Sequence, residues 1–320
     1  MTDSSLPGVA DVLAAAARIV PHASVTPVLR SRELDALAGA QLHFKAEHLQ
    51  RGGAFKFRGA CNAVWSLTDA QAERGVVTHS SGNHGAALAL AARSRGIVCH
   101  VVVPEGALAS KLANIARQGA VLWRCAPTQA AREQMCAQVQ ADTGATLIHP
   151  YADARVIAGQ ATATLELLQQ MEGVPEVLVV PVGGGGLAAG TALALQYAAS
   201  HCQLVLAEPA GAADTARSLA AGERQVDVVA DTVCDGLRGA LGAPNFELLR
   251  DRAQVITVDD AATLAAMRLL WQVLKQTVEP SSAIALAAVL AQPSRFAGRR
   301  IGVILSGGNV DIDALPWGQR

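Results

Sequence analysis

Short apolar runs alternate with alanine-rich stretches along almost the whole chain, and this alternation limits the possible folds more than any single residue does. The strand-like runs are Gln41–Phe44, Val76–His79, Ile97–Val103, Val121–Trp123, Thr146–His149, Val177–Val182, Leu204–Ala207, Val255–Val258 and Ile301–Leu305. Between them, Gly85–Arg95, Ser110–Gln118, Ala130–Thr143, Val156–Met171, Leu187–Ser200 and Ala261–Thr277 predict helices. Strands and helices in this order build an α/β architecture with mainly parallel sheets. Val177-Leu178-Val179-Val180 is apolar at every position, as a strand must be when helices cover both faces of its sheet. No internal repeat, low-complexity tract or linker rich in Pro, Gly and Ser marks a boundary between domains.

Composition excludes several classes of function. Of 320 residues, 51% are hydrophobic and 17% charged, which supplies a large core and is too apolar for disorder. The net charge of −1, without a long run of one sign, leaves no electrostatic footprint for nucleic acid. The longest apolar stretches, such as Ala283–Ala291, fall short of the ~20 residues that span a bilayer, so no membrane partner is expected. Met1–Ser5 has no basic segment leading into an apolar one, which predicts a cytoplasmic protein. Cys61, Cys99, Cys125, Cys136, Cys202 and Cys234 show neither a C-x-x-C pair nor metal-ligand spacing, and read as small core residues.

Ligands in open α/β sheets bind beyond the carboxyl ends of strands, so the chemistry is sought in the loops that follow them. Lys56 comes after the glycine pair of Gly52-Gly53-Ala54-Phe55-Lys56, where a helix can begin. The positive end of a helix dipole disfavours a protonated amine, and a neutral lysine can hold an aldehyde cofactor. Ser80-Ser81-Gly82-Asn83-His84 leads out of Val76–His79 and offers hydroxyls, an amide and backbone N–H groups to a carboxylate or phosphate. Gly183 to Gly186 follow Val177–Val182 and let the backbone approach an anion closely. A rival reading exists there: Gly183-x-Gly185-x-x-Ala188 fits a dinucleotide fingerprint, with Glu208 near the place of a ribose-binding acid. Four successive glycines exceed what a pyrophosphate turn requires and suit a single phosphate monoester. Ser306, after Ile301–Leu305, can exchange one hydrogen bond in the crevice. Taken singly, the Ser80–His84 and Ser306 segments read better as ordinary turns.

Together the four segments resemble the fold-type II pyridoxal-phosphate (PLP) enzymes, the tryptophan synthase β-like fold, and within them the serine racemase and serine/threonine dehydratase family. The resemblance runs from about Thr26 to about Asp311 and takes in Val156–Thr162, Ala207–Pro209, Asp235–Leu237 and Val278–Pro280. It implies two open, twisted, mainly parallel sheets with helices on both faces. Residues 1–70 and 152–320 would form a large PLP-binding domain, and 75–150 a small domain closing over the active site. Lys56 resembles the Schiff-base lysine, with Phe55 packing beside the cofactor. Asn83 resembles the partner of the ring hydroxyl, Gly183, Gly184, Gly185 and Gly186 the phosphate loop, and Ser306 the partner of the pyridine nitrogen. Ser81 matches the serine that, in the racemases, faces the substrate Cα opposite the lysine. Ser80, Ser81, Asn83 and His84 resemble the loop that binds the substrate carboxylate, and Arg132 an arginine that reaches the substrate side chain. Glu208, the carbonyl of Ala212 and Asp214 match a divalent-cation site suited to Mg²⁺, Ca²⁺ or Mn²⁺. Without the resemblance those three read as a capped strand end with a solvated aspartate. A homodimer is also implied.

The chain departs from the family in two places. A threonine and a serine commonly stand where Gly52 and Ala54 are found, and a more acidic, proline-containing stretch stands where Tyr151–Arg155 is found. Both changes lie near the expected crevice and bear on the substrate. The implied activity is β-elimination of water from a small hydroxy-amino acid such as serine, giving a 2-oxo acid and ammonia, together with racemisation. The alternative is a threonine or threo-3-hydroxyaspartate dehydratase without racemase activity. From another class, an NAD-binding oxidoreductase would rest on the glycine run and Glu208, and leaves Lys56 and Ser306 without roles.

Overall fold

A computed structural model describes residues 6–227, 229–311, 315 and 317; the Met1–Ser5 segment lies outside them. The strands are β1 (Val28–Leu29), β2 (Gln41–Lys45), β3 (Val76–His79), β4 (Cys99–Pro104), β5 (Val121–Cys125) and β6 (Thr146–Leu147). They continue as β7 (Val177–Pro181), β8 (Gln203–Pro209), β9 (Ala253–Val258) and β10 (Arg300–Ile304). The helices begin with α1 (Val9–Ile19), α2 (Arg32–Ala38), α3 (Lys56–Trp65), α4 (Asp69–Arg74), α5 (Asn83–Arg95), α6 (Ala109–Arg117) and α7 (Gln129–Thr143). They end with α8 (Ala154–Gln170), α9 (Gly186–Ala198), α10 (Asp214–Ala221), α11 (Ala243–Leu249), α12 (Asp260–Gln272), α13 (Pro280–Ala291) and α14 (Pro293–Phe296).

Two sheets result, one ordered β1-β2-β10-β7-β8-β9 and the other β5-β4-β3-β6. Every pairing is parallel except the short β1–β2 contact at one edge. Alternation along β7 explains why that strand is wholly apolar. Val177 and Val179 pack with Met267, Leu270 and Ile284 on one face, while Leu178 and Val180 pack with Ile157, Ala161 and Leu193 on the other. The smaller sheet is covered by α3 and α5 on one side, through Phe57 and Leu88, and by α7 on the other, through Cys136 and Val139. All six cysteines are buried and free.

Several expected element bounds differ from the structure. The helix expected over Ala261–Thr277 stops at Gln272, because Lys275 takes a left-handed φ of 59° and the chain turns so that Gln276 meets His48 at 2.8 Å. The strand expected from Ile97 starts at Cys99, since Ile97 still donates to Ala92 in closing α5. His149 lies past the end of β6. Polar ties join the surroundings of the two sheets: Ser110 of α6 to Asp311 at 3.3 Å, Lys111 of α6 to Asp235, and Asn83 of α5 to Glu279 at 2.9 Å.

Candidate active site

Lys56 opens α3, half-buried, and its amine donates to the carbonyl of Pro150 at 3.0 Å. Burial pushes the amine from 10.5 down to about 8, with the charge of Glu279 acting against it. Desolvation is thus a cause that acts on the amine beside the helix dipole named from sequence. Two residues on, Arg58 is locked in place. Its Nε and Nη2 each donate to the buried Glu47 at 2.7 Å, and Nη1 donates to Glu166 at 2.9 Å. Lys45 joins Glu166 at 2.7 Å, so the first turn of α3 is pinned to β2 and α8. Removing Glu166 would leave Lys45 buried without its ion-pair partner, and removing Arg58 would do the same to Glu47.

The turn before Lys56 is sewn to the loop after β10. Phe55 N donates to Ser306 O at 2.9 Å, Gly308 N to Gly53 O at 2.9 Å, and Asn309 Nδ2 to Gly52 O at 2.8 Å. These bonds bring Ser306 beside Lys56 although the sequence separates them widely. The Phe55 ring lies 5.1 Å from the Lys56 amine. Ser306 is buried, and its hydroxyl makes only a long 3.5 Å contact with the carbonyl of Ser281.

After β7, the glycines are required by their neighbours. Gly185 has φ +87°, and a Cβ on Gly184 would stand 2.4 Å from the Tyr151 ring. The Gly184 carbonyl accepts from Gly242 N at 3.1 Å and from Asn245 Nδ2 at 2.5 Å. The amides of Gly183, Gly184 and Gly185 donate to no group among the described residues. A loop with its Gly184 and Gly185 carbonyls engaged and its amides free, ahead of α9, suits an anion.

Ser80, Ser81 and Gly82 lie half-buried between β3 and α5. Ser80 Oγ accepts from Gly82 N at 3.4 Å, whereas the Ser81 hydroxyl has no partner among the described residues. Asn83 Nδ2 donates to Glu279 Oε1 at 2.9 Å and Oε2 at 3.1 Å. His84 is buried with Nε2 3.4 Å from Ile148 O and Nδ1 unpartnered, and desolvation lowers it far below its ordinary value.

An imidazole and phenol wall adjoins these groups. The His79 and His149 rings stand 5.1 Å apart, and Tyr151 lies edge-on to His149 at 4.6 Å. Burial, then the charges of His79 and Lys56, lower His149 to about 4. Arg132 of α7 acts electrostatically on His79, and its buried Nε has no partner. Hydrogen bonds through residues 52–55 and Asn309 therefore link Lys56, Ser306 and Asn83, Tyr151 connects the glycine loop to His149, and Arg132 acts on this group through its charge on His79. Sequence reasoning gave no role to His79, His149, Tyr151 or Glu279. The two histidines carried a signal, since both close strand-like runs.

A family model for pyridoxal-phosphate dependent enzymes matches residues 19–307. The chain belongs to that family. It is 47% identical to the beta-hydroxyaspartate dehydratase of Paracoccus denitrificans (strain Pd 1222), over 98% of this chain and 99% of the relative. It is 48% identical to the serine racemase of Arabidopsis thaliana, over 93% of this chain and 92% of that one. The solved structure of maize serine racemase aligns with a TM-score of 0.93 at 43% identity, covering 97% and 96% of the two chains. The two-sheet architecture is accordingly that of the fold-type II PLP enzymes. PLP fits the residues present: a lysine amine biased toward neutrality, free glycine amides for a phosphate, and a buried hydroxyl at Ser306 with little to bond.

In this PLP enzyme Glu208 closes β8 fully buried, accepting from Thr215 N at 2.7 Å and Ala216 N at 2.8 Å. So oriented, it caps α10 and is not presented to a ribose, which removes the acid that the NAD reading needs. Asp214 is also buried rather than solvated, and its Oδ2 accepts from Leu241 N at 2.7 Å. Burial raises both carboxyls, Glu208 to about 7, and the Asp214 charge adds to that rise. Ala212 ends the 3-10 turn between them. Among the described residues no group of three or more His, Cys, Asp or Glu side chains could hold a metal, and no helix is long and apolar enough to cross a membrane.

Proposed function

We propose that this PLP enzyme removes water from a small hydroxy-amino acid such as serine, giving a 2-oxo acid and ammonia, and inverts the substrate Cα at the same site. The observation that carries this reading is the Lys56 amine, biased toward neutrality and tied through residues 52–55 to Ser306. Similarity to serine racemases and to a hydroxyaspartate dehydratase supports it.

Bound PLP supplies an electron sink for the charge that develops at Cα. Lys56 would hold the cofactor, and its free amine would take the Cα proton as general base. Gly183 to Gly186 hold the phosphate through their amides. Asn83 would donate to the ring hydroxyl. Ser306 would offer the ring nitrogen a neutral hydroxyl, which would not keep that nitrogen protonated as a carboxylate would. Ser80, Ser81, Asn83 and His84 bind the substrate carboxylate at the start of α5. Ser81 serves the opposite face of Cα, a role that inversion requires and elimination does not.

One observation favours a second reading within the class, threo-3-hydroxyaspartate as substrate of a dehydratase without racemase activity. Arg132 has an unpartnered buried Nε beside His79, and a substrate with a second carboxylate would complete it. Threonine offers no such charge. The proposal also assigns Mg²⁺, or Ca²⁺ or Mn²⁺, to Glu208, the Ala212 carbonyl and Asp214, where a cation would offset two neighbouring buried carboxylates. Closure of residues 75–150 over the site draws support from the ties of Ser110, Lys111 and Asn83. A cytoplasmic homodimer rests on the family resemblance.

Lys56→Ala tests the core of the reading. The variant is expected to lose the visible absorbance of the PLP-bound protein and all turnover of L-serine, D-serine, L-threonine and threo-3-hydroxyaspartate. A folded variant that keeps both would refute it.

A further inference from the structure

Glu279 is a buried carboxyl that none of the roles above employs. It stands immediately before α13, yet its side chain caps nothing on that helix. Both its oxygens instead accept from Asn83 Nδ2, while Asn83 Oδ1 accepts from Asn309 Nδ2 at 2.9 Å. The two contacts fix the sense of the Asn83 amide, its nitrogen toward Glu279 and its oxygen toward Asn309. Gly307 packs so close that a Cβ there would stand 2.6 Å from Glu279 Oε1.

Glu279 is 5% exposed and belongs to no ion pair among the described residues. The charged groups that act on it are Lys56 from α3, Asp235 from the 3-10 turn Asp235–Leu237, and Lys111 from α6. Asn83, Asn309 and Gly307 contribute neutral contacts only. Lys111 is paired with Asp235, while Glu279 N donates to Gly307 O beside Ser306, which sets its carboxyl near enough for its charge to act on Lys56. Burial pushes the Glu279 carboxyl up to about 7, against the Asn83 bond that favours its charged form.

We infer that Glu279 is a positioning residue of this site, aiming the Asn83 amide at the ligand and supplying the negative charge that holds a proton on Lys56. The inference rests on the roles proposed for Lys56 and Asn83, and its test separates the two. Full-length holoenzyme is compared with Glu279→Gln and, should that variant fail to fold, with Glu279→Asp. The visible absorbance of bound PLP is titrated with pH. In protein stripped of PLP, the Lys56 amine is titrated by its rate of acylation, read by peptide mass.

Lys56 is expected to titrate at about 8 in the wild type. Glu279→Gln should lower this by about half a unit or more, about a threefold gain in neutral amine at pH 7. The same variant should also lose a spectral midpoint near the Glu279 value of about 7. Glu279→Asp should keep the charge effect on Lys56 while loosening PLP, because its shorter side chain falls away from Asn83. A folded Gln variant with both titrations unchanged, or an Asp variant in its stead with wild-type PLP retention, would overturn the inference. If the wild type shows no visible band with PLP, the cofactor reading fails, and the Lys56 titration still decides the charge role of Glu279.

Discussion

The loops after β7 and β3 share a local plan, a buried strand running into small residues and then a helix N-terminus, but they present different chemistry. After β7 the loop is bare backbone, held by Tyr151, Asn245 and Leu241, with its Gly184 and Gly185 carbonyls engaged and its amides free. After β3 the loop carries Ser80, Ser81 and Asn83, half-buried and able to move a proton or turn an amide. A backbone cradle suits a ligand group that never reacts, such as a phosphate. Side chains suit the group whose bonds change. On the proposed reading, the six-stranded sheet anchors the cofactor and the four-stranded sheet presents residues to the substrate.

Substitutions in the two loops should therefore fail in different ways. The largest effect is expected from Gly184→Val, whose side chain would collide with the Tyr151 ring. Displacing the loop forfeits charge-assisted hydrogen bonds to phosphate, weakening PLP binding by ~10²-fold or more in an absorbance titration. Wild-type affinity in that variant would end the contrast between the loops.

Ser81→Ala should leave PLP affinity unchanged. It should abolish racemisation and action on D-serine, a loss of ~10²-fold or more, while L-serine dehydration falls by less than ~10-fold. Equal loss of every activity would remove Ser81 from the opposing face. Next in size, capture of PLP by stripped protein should follow the neutral Lys56 amine. Because burial lowers that group from 10.5 to about 8, the rate should rise with pH and level off above about 8, as stopped-flow absorbance would show. A rise continuing toward 10.5 would mean the amine is solvated. The smallest effect is expected at the Glu208 and Asp214 site. Saturating Mg²⁺ should raise Tm by ~2–4 °C, and Glu208→Gln should erase the rise. No shift in the wild type would dismiss the cation.

Much of the fold was legible because its strands are apolar throughout and its helices are long. The expected strand Val76–His79 coincides with β3, and Ala130–Thr143 differs from α7 by one residue at its start. Short or locally ambiguous elements were not legible. Two-residue β1 exists only through its pairing with β2, and α12 stops early through a left-handed Lys275 that no propensity foretells. Within the site, the motif residues were legible as types after strands. Their partners were not: nothing local in Glu279-Pro280 says that the carboxylate turns from its own helix toward Asn83. Similarly, Tyr151 reads as a departure from the family pattern, and only packing places its ring against Gly184.

The sequence by itself determined the α/β class, the family and the residue types available to a cofactor, because periodicity and motifs are properties of short segments. Tertiary structure decided the electrostatics of those residues. Lys56 is biased toward neutrality by the protein that surrounds it, Glu208 is turned inward to cap α10, and Ser306 reaches Lys56 through bonds between distant turns. Desolvation and hydrogen bonding depend on what surrounds a group in space, and that surrounding is assembled from every part of the chain at once.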